Sequence, residues 1–383
     1  MKLLYILNVA KRVNNFSYTS MIAARELGVE FHIAGNWSYA SDEERRSDEK
    51  RYRIRIHQID FIRTPYHPGN RKAYLQLKKL VQQERFDAIH CNTPIGGVLG
   101  RIVGWQCRVP KVIYQAHGFH FYEGASVLNW MFYYPVEKWL ARCTDALITI
   151  NREDYRLAKA KMKLRGKGNV YYVPGVGIDG AQFRDEQSVR ARKRGEMNLS
   201  DLDIMLISTG ELNENKNNTV IISALEKLKD EKIHYFLCGT GDKEQSLRQQ
   251  AEKAGITQRV HFLGYRQDIG ELLRAADIFV LSSYREGLPR SMMEAMASGL
   301  PCVASRVRGN TDLLEDGAGG FLCGTADIRG YAEAIGILAK APVLRETMGR
   351  HNLQAVQVFS VETVTAEMKR IYHTEFGTAV VDD

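Results

Sequence analysis

Residues 204–228, IMLISTGELNENKNNTVIISALEKL, decide the fold. Ile204–Ser208 is a short apolar run that ends in a small-residue turn at Thr209-Gly210-Glu211, and from Val220 the apolar residues return at helical spacing: Val220, Ile221, Ala224, Leu225 and Leu228. The stretch reads as a strand, a glycine turn and a helix. Parallel sheets built from such units bind ligands beyond the carboxyl ends of their strands, where backbone amides and a helix N-terminus stabilise phosphate. Lys216 stands at that position, and its ammonium suits a diphosphate. A lysine after a strand is by itself better read as a solvated surface residue, so the meaning of Lys216 depends on its neighbours.

Two further turns supply them. Cys238-Gly239-Thr240-Gly241-Asp242 follows the strand His234–Leu237, and Gly239 and Gly241 either admit a ligand close to the backbone or only make the turn. In residues 282–305, SSYREGLPRSMMEAMASGLPCVAS, Ser282–Glu286 follow an apolar strand, Gly287 and Pro289 shape a turn, and Arg290–Ser298 reads as a helix. Glu286 and Glu294 are two helical turns apart, roughly 12 Å along an axis at ~1.5 Å per residue. That matches the span of a nucleotide sugar, and carboxylates accept well from vicinal diols. The pattern predicts one carboxylate at sugar hydroxyls and the other at a ribose.

The same alternation runs through the chain and predicts an α/β protein with parallel sheets. Strands are expected at Leu3–Leu7, Glu30–Ala34, Ala88–His90, Lys111–Gln115, Ala146–Thr149 and Val170–Val173, then at Ile204–Ser208, His234–Leu237, Val260–Phe262, Ile278–Leu281 and Pro301–Ala304. These eleven are too many for one comfortable sheet, and Pro174-Gly175-Val176-Gly177-Ile178-Asp179 interrupts the series. Domains are therefore expected at 1–175 and 178–360. A length of 383 residues with 44% apolar and 26% charged residues fits two globular domains and excludes a disordered or fibrous chain. The six cysteines never reach C-x-x-C spacing, which predicts reduced thiols in a cytoplasmic protein and no zinc cluster. No apolar run approaches the ~20 residues that cross a bilayer, and the N-terminal MKLLYILNVAKR reads as a buried first strand rather than a leader.

Charge is unevenly shared. The chain carries +8 overall, but residues 1–177 carry +13 and the remainder −5. Beyond ordinary solvation of a surface, such an asymmetry suits an acidic membrane face, a phosphorylated acceptor or, last, nucleic acid, for which no motif is present. Residues 126–143, SVLNWMFYYPVEKWLARC, interleave aromatics with Lys138 and Arg142 and read either as a core helix or as an interfacial one. The pair Asp201 and Asp203 precedes a strand instead of following it, so it reads as a solvated turn and not a metal site.

The strings GELNENK (210–216), FLCGTGD (236–242), RVHFLGYRQDIGELLRAADIFVLSS (259–283) and REGLPRSMMEAMASGLPCVAS (285–305) resemble, in order and spacing, the carboxyl-terminal domain of the family 4 glycosyltransferases. These are retaining enzymes that use nucleotide-activated sugars. The resemblance implies a GT-B fold: two Rossmann-like domains whose parallel sheets face a central cleft, with residues 361–383 as a final helix returning to the first domain. It implies a diphosphate contact for Lys216, the donor sugar for Glu286, the ribose for Glu294, backbone contacts around Gly287, Leu288 and Pro289, and base-flanking backbone in Arg259–Tyr265.

QAHGFHFY (115–122) is similar to the family's loop whose histidine reaches the transferred sugar, a role that falls to His117, with His120 the competitor. The resemblance further implies a UDP-sugar donor, no required metal, a saccharide or polyprenyl-diphosphate-linked acceptor, and work at the inner face of the membrane on a capsule or exopolysaccharide. Two departures stand out. Glu211 occupies the place of an arginine that contacts the diphosphate, so it is expected to point elsewhere or bind a donor hydroxyl. Arg12-Val13-Asn14-Asn15-Phe16 replaces a glycine-rich loop. A binding-only subunit, and a GT-B epimerase or phosphorylase, are the alternative readings.

Overall fold

The computed structural model describes residues 1–13, 15–64, 66–92, 94–183 and 187–377. They form two compact units: residues 1–177 with the segment from Val361 onward, and Ile178–Ser360. No helix among the described residues is long and apolar enough to cross a membrane.

The first unit is a seven-stranded parallel sheet in the order β3-β2-β1-β4-β5-β6-β7. Its strands are β1 Lys2–Val9, β2 Glu30–Asn36, β3 Arg55–Gln58, β4 Ala88–Asn92, β5 Lys111–Ala116, β6 Ala146–Thr149 and β7 Asn169–Tyr172. The two-residue period of a strand sends β1 into two cores at once. Leu4 and Ile6 join Leu77, Ile89 and Val103 on one face, while Leu3, Tyr5 and Leu7 join Met21, Ile33 and Ile148 on the other.

The helix Val361–Phe376 covers that second face with Val364, Met368, Ile371 and Tyr372. The Tyr372 hydroxyl lies 2.7 Å from Nδ1 of the buried His90, and Glu375 accepts from Tyr171 at 2.7 Å and pairs with Lys111 at 3.1 Å.

After β1, Asn14 lies outside the described residues, and Asn15 opens the helix Asn15–Glu26. At this turn, where Arg12–Phe16 stands in place of a glycine-rich loop, the chain is held from the side. The buried Asp48 accepts from Nε and Nη2 of Arg12 at 3.0 and 2.6 Å and from the Val13 amide at 2.9 Å.

The second unit is a six-stranded parallel sheet in the order β10-β9-β8-β11-β12-β13. Its strands are β8 Ile204–Thr209, β9 Ile233–Cys238, β10 Val260–Gly264, β11 Ile278–Leu281, β12 Cys302–Ser305 and β13 Gly320–Cys323. Strand order reverses between β8 and β11, which places the crevice used by ligands of such sheets at their carboxyl ends. Eleven strands match the sequence expectation; β3 and β13 are additional. Both are four-residue edge strands, one reading RIHQ and the other opening on glycine, and neither has the apolar run that marks a central strand.

Candidate active site

Asparagines shape the loop after β8. Asn213 accepts the Lys216 amide on its side chain at 3.2 Å and so caps the start of the turn Glu214–Lys216. Asn217 takes a left-handed conformation (φ 49°, ψ 39°) before the helix Asn218–Leu228. Its side-chain amide donates to the Ser282 carbonyl at 3.2 Å and to the Thr325 carbonyl at 2.7 Å.

In return, the Ser282 hydroxyl reaches the carbonyls of Lys216 and Asn217 at 3.1 and 2.9 Å. Asn215 donates to the Arg285 carbonyl at 3.0 Å and accepts the Tyr284 amide at 2.8 Å. The loops after β8 and β11 are thus tied together at the switch point. The consequence is an ion pair: Lys216 Nζ lies 2.7 Å from Glu286 Oε1, with side chains 21% and 12% exposed.

Gly239 and Gly241 support this loop from beneath. A Cβ on Gly239, which has φ 154°, would stand 1.8 Å from the Gly210 carbonyl oxygen, and one on Gly241 would stand 2.2 Å from that of Leu212. Only glycine lets the β9 loop lie this close, and the Leu212 amide then bonds the Thr240 carbonyl at 3.0 Å. Gly287 is approached in the same way, since a Cβ on Gly309 would meet its carbonyl at 2.5 Å. Leu288 is buried, so its backbone alone is available to a ligand, and Pro289 precedes the helix Arg290–Ala297.

Glu294 is not brought onto Lys216. It pairs with Arg290 at 2.8 Å and lines a separate depression of about 360 Å³ with Gln182, Asp268, Arg274 and Arg290, whose lining includes neither Lys216 nor Glu286. Glu211 is exposed, and its carboxylate accepts from Asn213 Nδ2 at 3.1 Å. In the segment Arg259–Tyr265, Arg259 precedes β10 at its entry end, and Gly264 and the exposed Tyr265 stand at its carboxyl edge.

In the first unit, His117 follows β5, with Nε2 3.0 Å from Asn92 Oδ1 and its ring against Phe16 edge-on at 5.3 Å. Burial pushes its pKa down to about 4, so the imidazole is neutral at physiological pH. The Asn92 carbonyl oxygen can only accept, which puts the proton on Nε2 and leaves Nδ1 with its lone pair. His120 instead stacks on Tyr133 at 4.6 Å.

Among the described residues, no three His, Cys, Asp or Glu side chains gather as a metal site. Asp203 accepts from both the amide and hydroxyl of Ser200 at 2.7 Å. Sequence reasoning missed Asn215 and Asn217, for which the asparagine-rich run NENKNN was the available signal, and the tie that Ser282 makes to them, which no local pattern marks.

Two family models match the chain: "Glycosyl transferase 4-like domain" over residues 18–174 and "Glycosyl transferases group 1" over 189–354. EpsD of Bacillus subtilis (strain 168) is 37% identical over 353 residues, covering 91% of this chain and 90% of its own length. The UDP-Gal:α-D-GlcNAc-diphosphoundecaprenol α-1,3-galactosyltransferase of Escherichia coli is 26% identical, over 79% of each chain. In fold, the chain is similar to HepE of Anabaena, crystallised with UDP and glucose. The TM-score is 0.80 at 19% identity, covering 98% of this chain and 100% of that one. With both halves matched and the EpsD likeness running through nearly the whole length, the chain belongs to the family 4 glycosyltransferases of GT-B fold, enzymes of polysaccharide and glycoconjugate synthesis.

Proposed function

We propose that this glycosyltransferase moves a sugar from a UDP-sugar, with retention at the anomeric carbon, to a saccharide acceptor. The acceptor is carried on a polyprenyl diphosphate at the cytoplasmic face of the membrane, and the product is a capsule or exopolysaccharide. The observation that carries the reading is the Lys216–Glu286 pair at the switch point. An ammonium held there by a single carboxylate is ready to exchange that partner for a diphosphate, whose charge grows as the glycosidic bond breaks. Glu286 is then released to accept from the sugar hydroxyls, and Glu294 serves the ribose from its own depression.

In the reaction the bond from the anomeric carbon to the diphosphate oxygen breaks, and a bond to the acceptor oxygen forms on the same face. The acceptor proton passes to the leaving phosphate. No carboxylate is needed opposite the anomeric carbon in this scheme, and Lys216 with the backbone amides around Gly287–Pro289 supplies the electrostatic stabilisation in place of a metal. Neutral His117 is a positioning group that accepts a sugar hydroxyl on Nδ1. The named substrates of the Escherichia coli relative, and the UDP and glucose held by HepE, support the choice of UDP and of a lipid-linked acceptor.

The test is donor turnover. Slow release of UDP from one of a panel of UDP-sugars is expected, and Lys216→Ala and Glu286→Ala are each expected to abolish it. A wild-type protein that neither binds nor turns over any UDP-sugar would overturn the donor assignment.

A further inference from the structure

The imidazole of His117 is held by neighbours from three strands and a helix. Asn92, the last residue of β4, is fully buried and stands in register with Gln115 of β5, two residues before His117. Its Oδ1 lies 3.0 Å from His117 Nε2. The ring of Phe16, from the helix that follows β1, packs edge-on against the imidazole at 5.3 Å, and the Phe119 amide next in the loop is tied to Asp154 at 2.9 Å. The ring is fixed in place before any ligand arrives.

The chemistry of these neighbours decides which nitrogen carries the proton. The buried Tyr5 hydroxyl donates to the Phe16 carbonyl, so toward the neighbouring Asn92 its oxygen can only accept. The Asn92 amide therefore turns its NH2 to the phenol and its carbonyl to the imidazole. Nε2 must donate to that carbonyl, and Nδ1 keeps its lone pair.

An asparagine here does what an aspartate could not. A carboxylate would stabilise the imidazolium, whereas an amide carbonyl selects the tautomer and adds no charge. The titratable groups around the ring are uncharged or already satisfied. Burial pushes His90 of β4 down to about 3, with its Nδ1 2.7 Å from the Tyr372 hydroxyl of the final helix, and burial raises Tyr5 and Tyr372, which stay phenols. The carboxylate of Asp154 is occupied by the Phe119 amide and by Asn151 Nδ2 at 2.8 Å.

We propose that Asn92 is a positioning residue for sugar transfer: its side-chain carbonyl holds His117 as the Nε2–H tautomer, so the sugar group met at Nδ1 must be a hydroxyl that donates. The proposal rests on the reading of His117 as a contact of the transferred sugar, and it adds a selection rule for the donor. A sugar with fluorine, a carbonyl or a carboxylate at that carbon is refused, because it would set an acceptor against a buried lone pair.

The experiment is nitrogen-15 NMR of the histidine side chains in the full chain with no sugar present, the His117 signals being identified by their loss in His117→Gln. A bare Nδ1 and a protonated Nε2 are expected in the wild type at pH 7. Asn92→Ala is expected to give a mixture of tautomers. Asn92→Asp is expected to keep the proton on Nε2 and to raise the His117 pKa from about 4 to about 6 or above. A wild type protonated on Nδ1, or an Asn92→Asp protein without the rise, would overturn the proposal even if Asn92→Ala does not fold.

Release of UDP from a UDP-sugar gives the second readout. The ratio of Asn92→Asp to wild-type kcat is expected within about threefold of one at pH 8 and below about one tenth at pH 5, where imidazolium replaces the lone pair. A ratio that does not move with pH, with the NMR rise present, would overturn the role in transfer and the sugar contact of His117 together. Calorimetric titration with UDP is expected to be the same in wild type and Asn92→Asp. Its failure in the wild type would count against the donor reading and leave the tautomer result standing.

Discussion

Lys216 and Glu286 stand 70 residues apart in sequence and 2.7 Å apart in space, and each is the partner that keeps the other from being a half-buried lone charge. Removing the ammonium affects the leaving group most, because a preorganised cation contributes more as charge develops than it does at rest. Lys216→Ala is therefore expected to lower kcat/KM for transfer by about 10²–10³, while its melting temperature stays within a few degrees of the wild type. A large fall in melting temperature with intact transfer would show instead that the pair is structural. Gly239 carries a different constraint. Gly239→Ala would place a methyl 1.8 Å from the Gly210 carbonyl oxygen at a φ of 154°. The cost expected in chemical denaturation is about 2–4 kcal/mol, from overpacking and backbone strain together, with weaker UDP binding because the Lys216 loop rests on that contact.

At the scale of elements, the two sheets share a feature at one edge. His32 on β2 stacks on His57 of β3, with ring nitrogens 2.9 Å apart, and His234 on β9 stacks on His261 of β10 at 3.1 Å. Burial first, and then the neighbouring imidazole, push His57 and His261 down to about 4. His32 and His234 are lowered chiefly by burial, against the pull of Glu30 and Asp203. A folded pKa below the unfolded value of about 6.5 means that the unfolded chain binds more protons in between. The stability these rings contribute is complete above about pH 6.5 and is lost as pH falls toward about 4. Calorimetry should show the melting temperature dropping by several degrees between pH 7 and 5, and His57→Gln/His261→Gln should flatten that slope. An unchanged slope would assign acid lability to other groups. Neither pair was legible in the sequence, because a histidine pair across strands exists only once the register is known.

At the scale of the whole molecule, the final helix belongs to the first unit's core. Burying Val364, Met368, Ile371 and Tyr372 contributes about 1.5–3 kcal/mol per side chain, a sum comparable with the ~5–15 kcal/mol that keeps a domain folded. A chain ending at Ser360 is therefore expected to lose the first unit's structure, seen as aggregation or a lost near-ultraviolet dichroism signal. The segment Ile178–Ser360, which has its own sheet and core, is expected to fold alone and bind UDP without transferring sugar. A soluble, active chain ending at Ser360 would remove the helix from the list of essential elements.

Much of this protein is written locally. Apolar runs followed by glycine turns and helical spacing placed eleven of the strands, and the turns after β8 and β11 placed Lys216 and Glu286 at strand ends, because strand period, helix period and turn chemistry depend on near neighbours in the chain. Tertiary structure decided what depends on distant ones. Strand order made Lys216 and Glu286 contact partners, and the helix Arg290–Ala297 carries Glu294 to a depression it shares with Asp268, Arg274 and Arg290. Asp48, from a separate helix, secures the turn that lacks its glycines. Arg101 turns Glu137 inward and leaves the apolar face of the helix Val127–Ala141 to solvent, which no periodicity could show, since an apolar helix reads the same whether it faces a core or solvent.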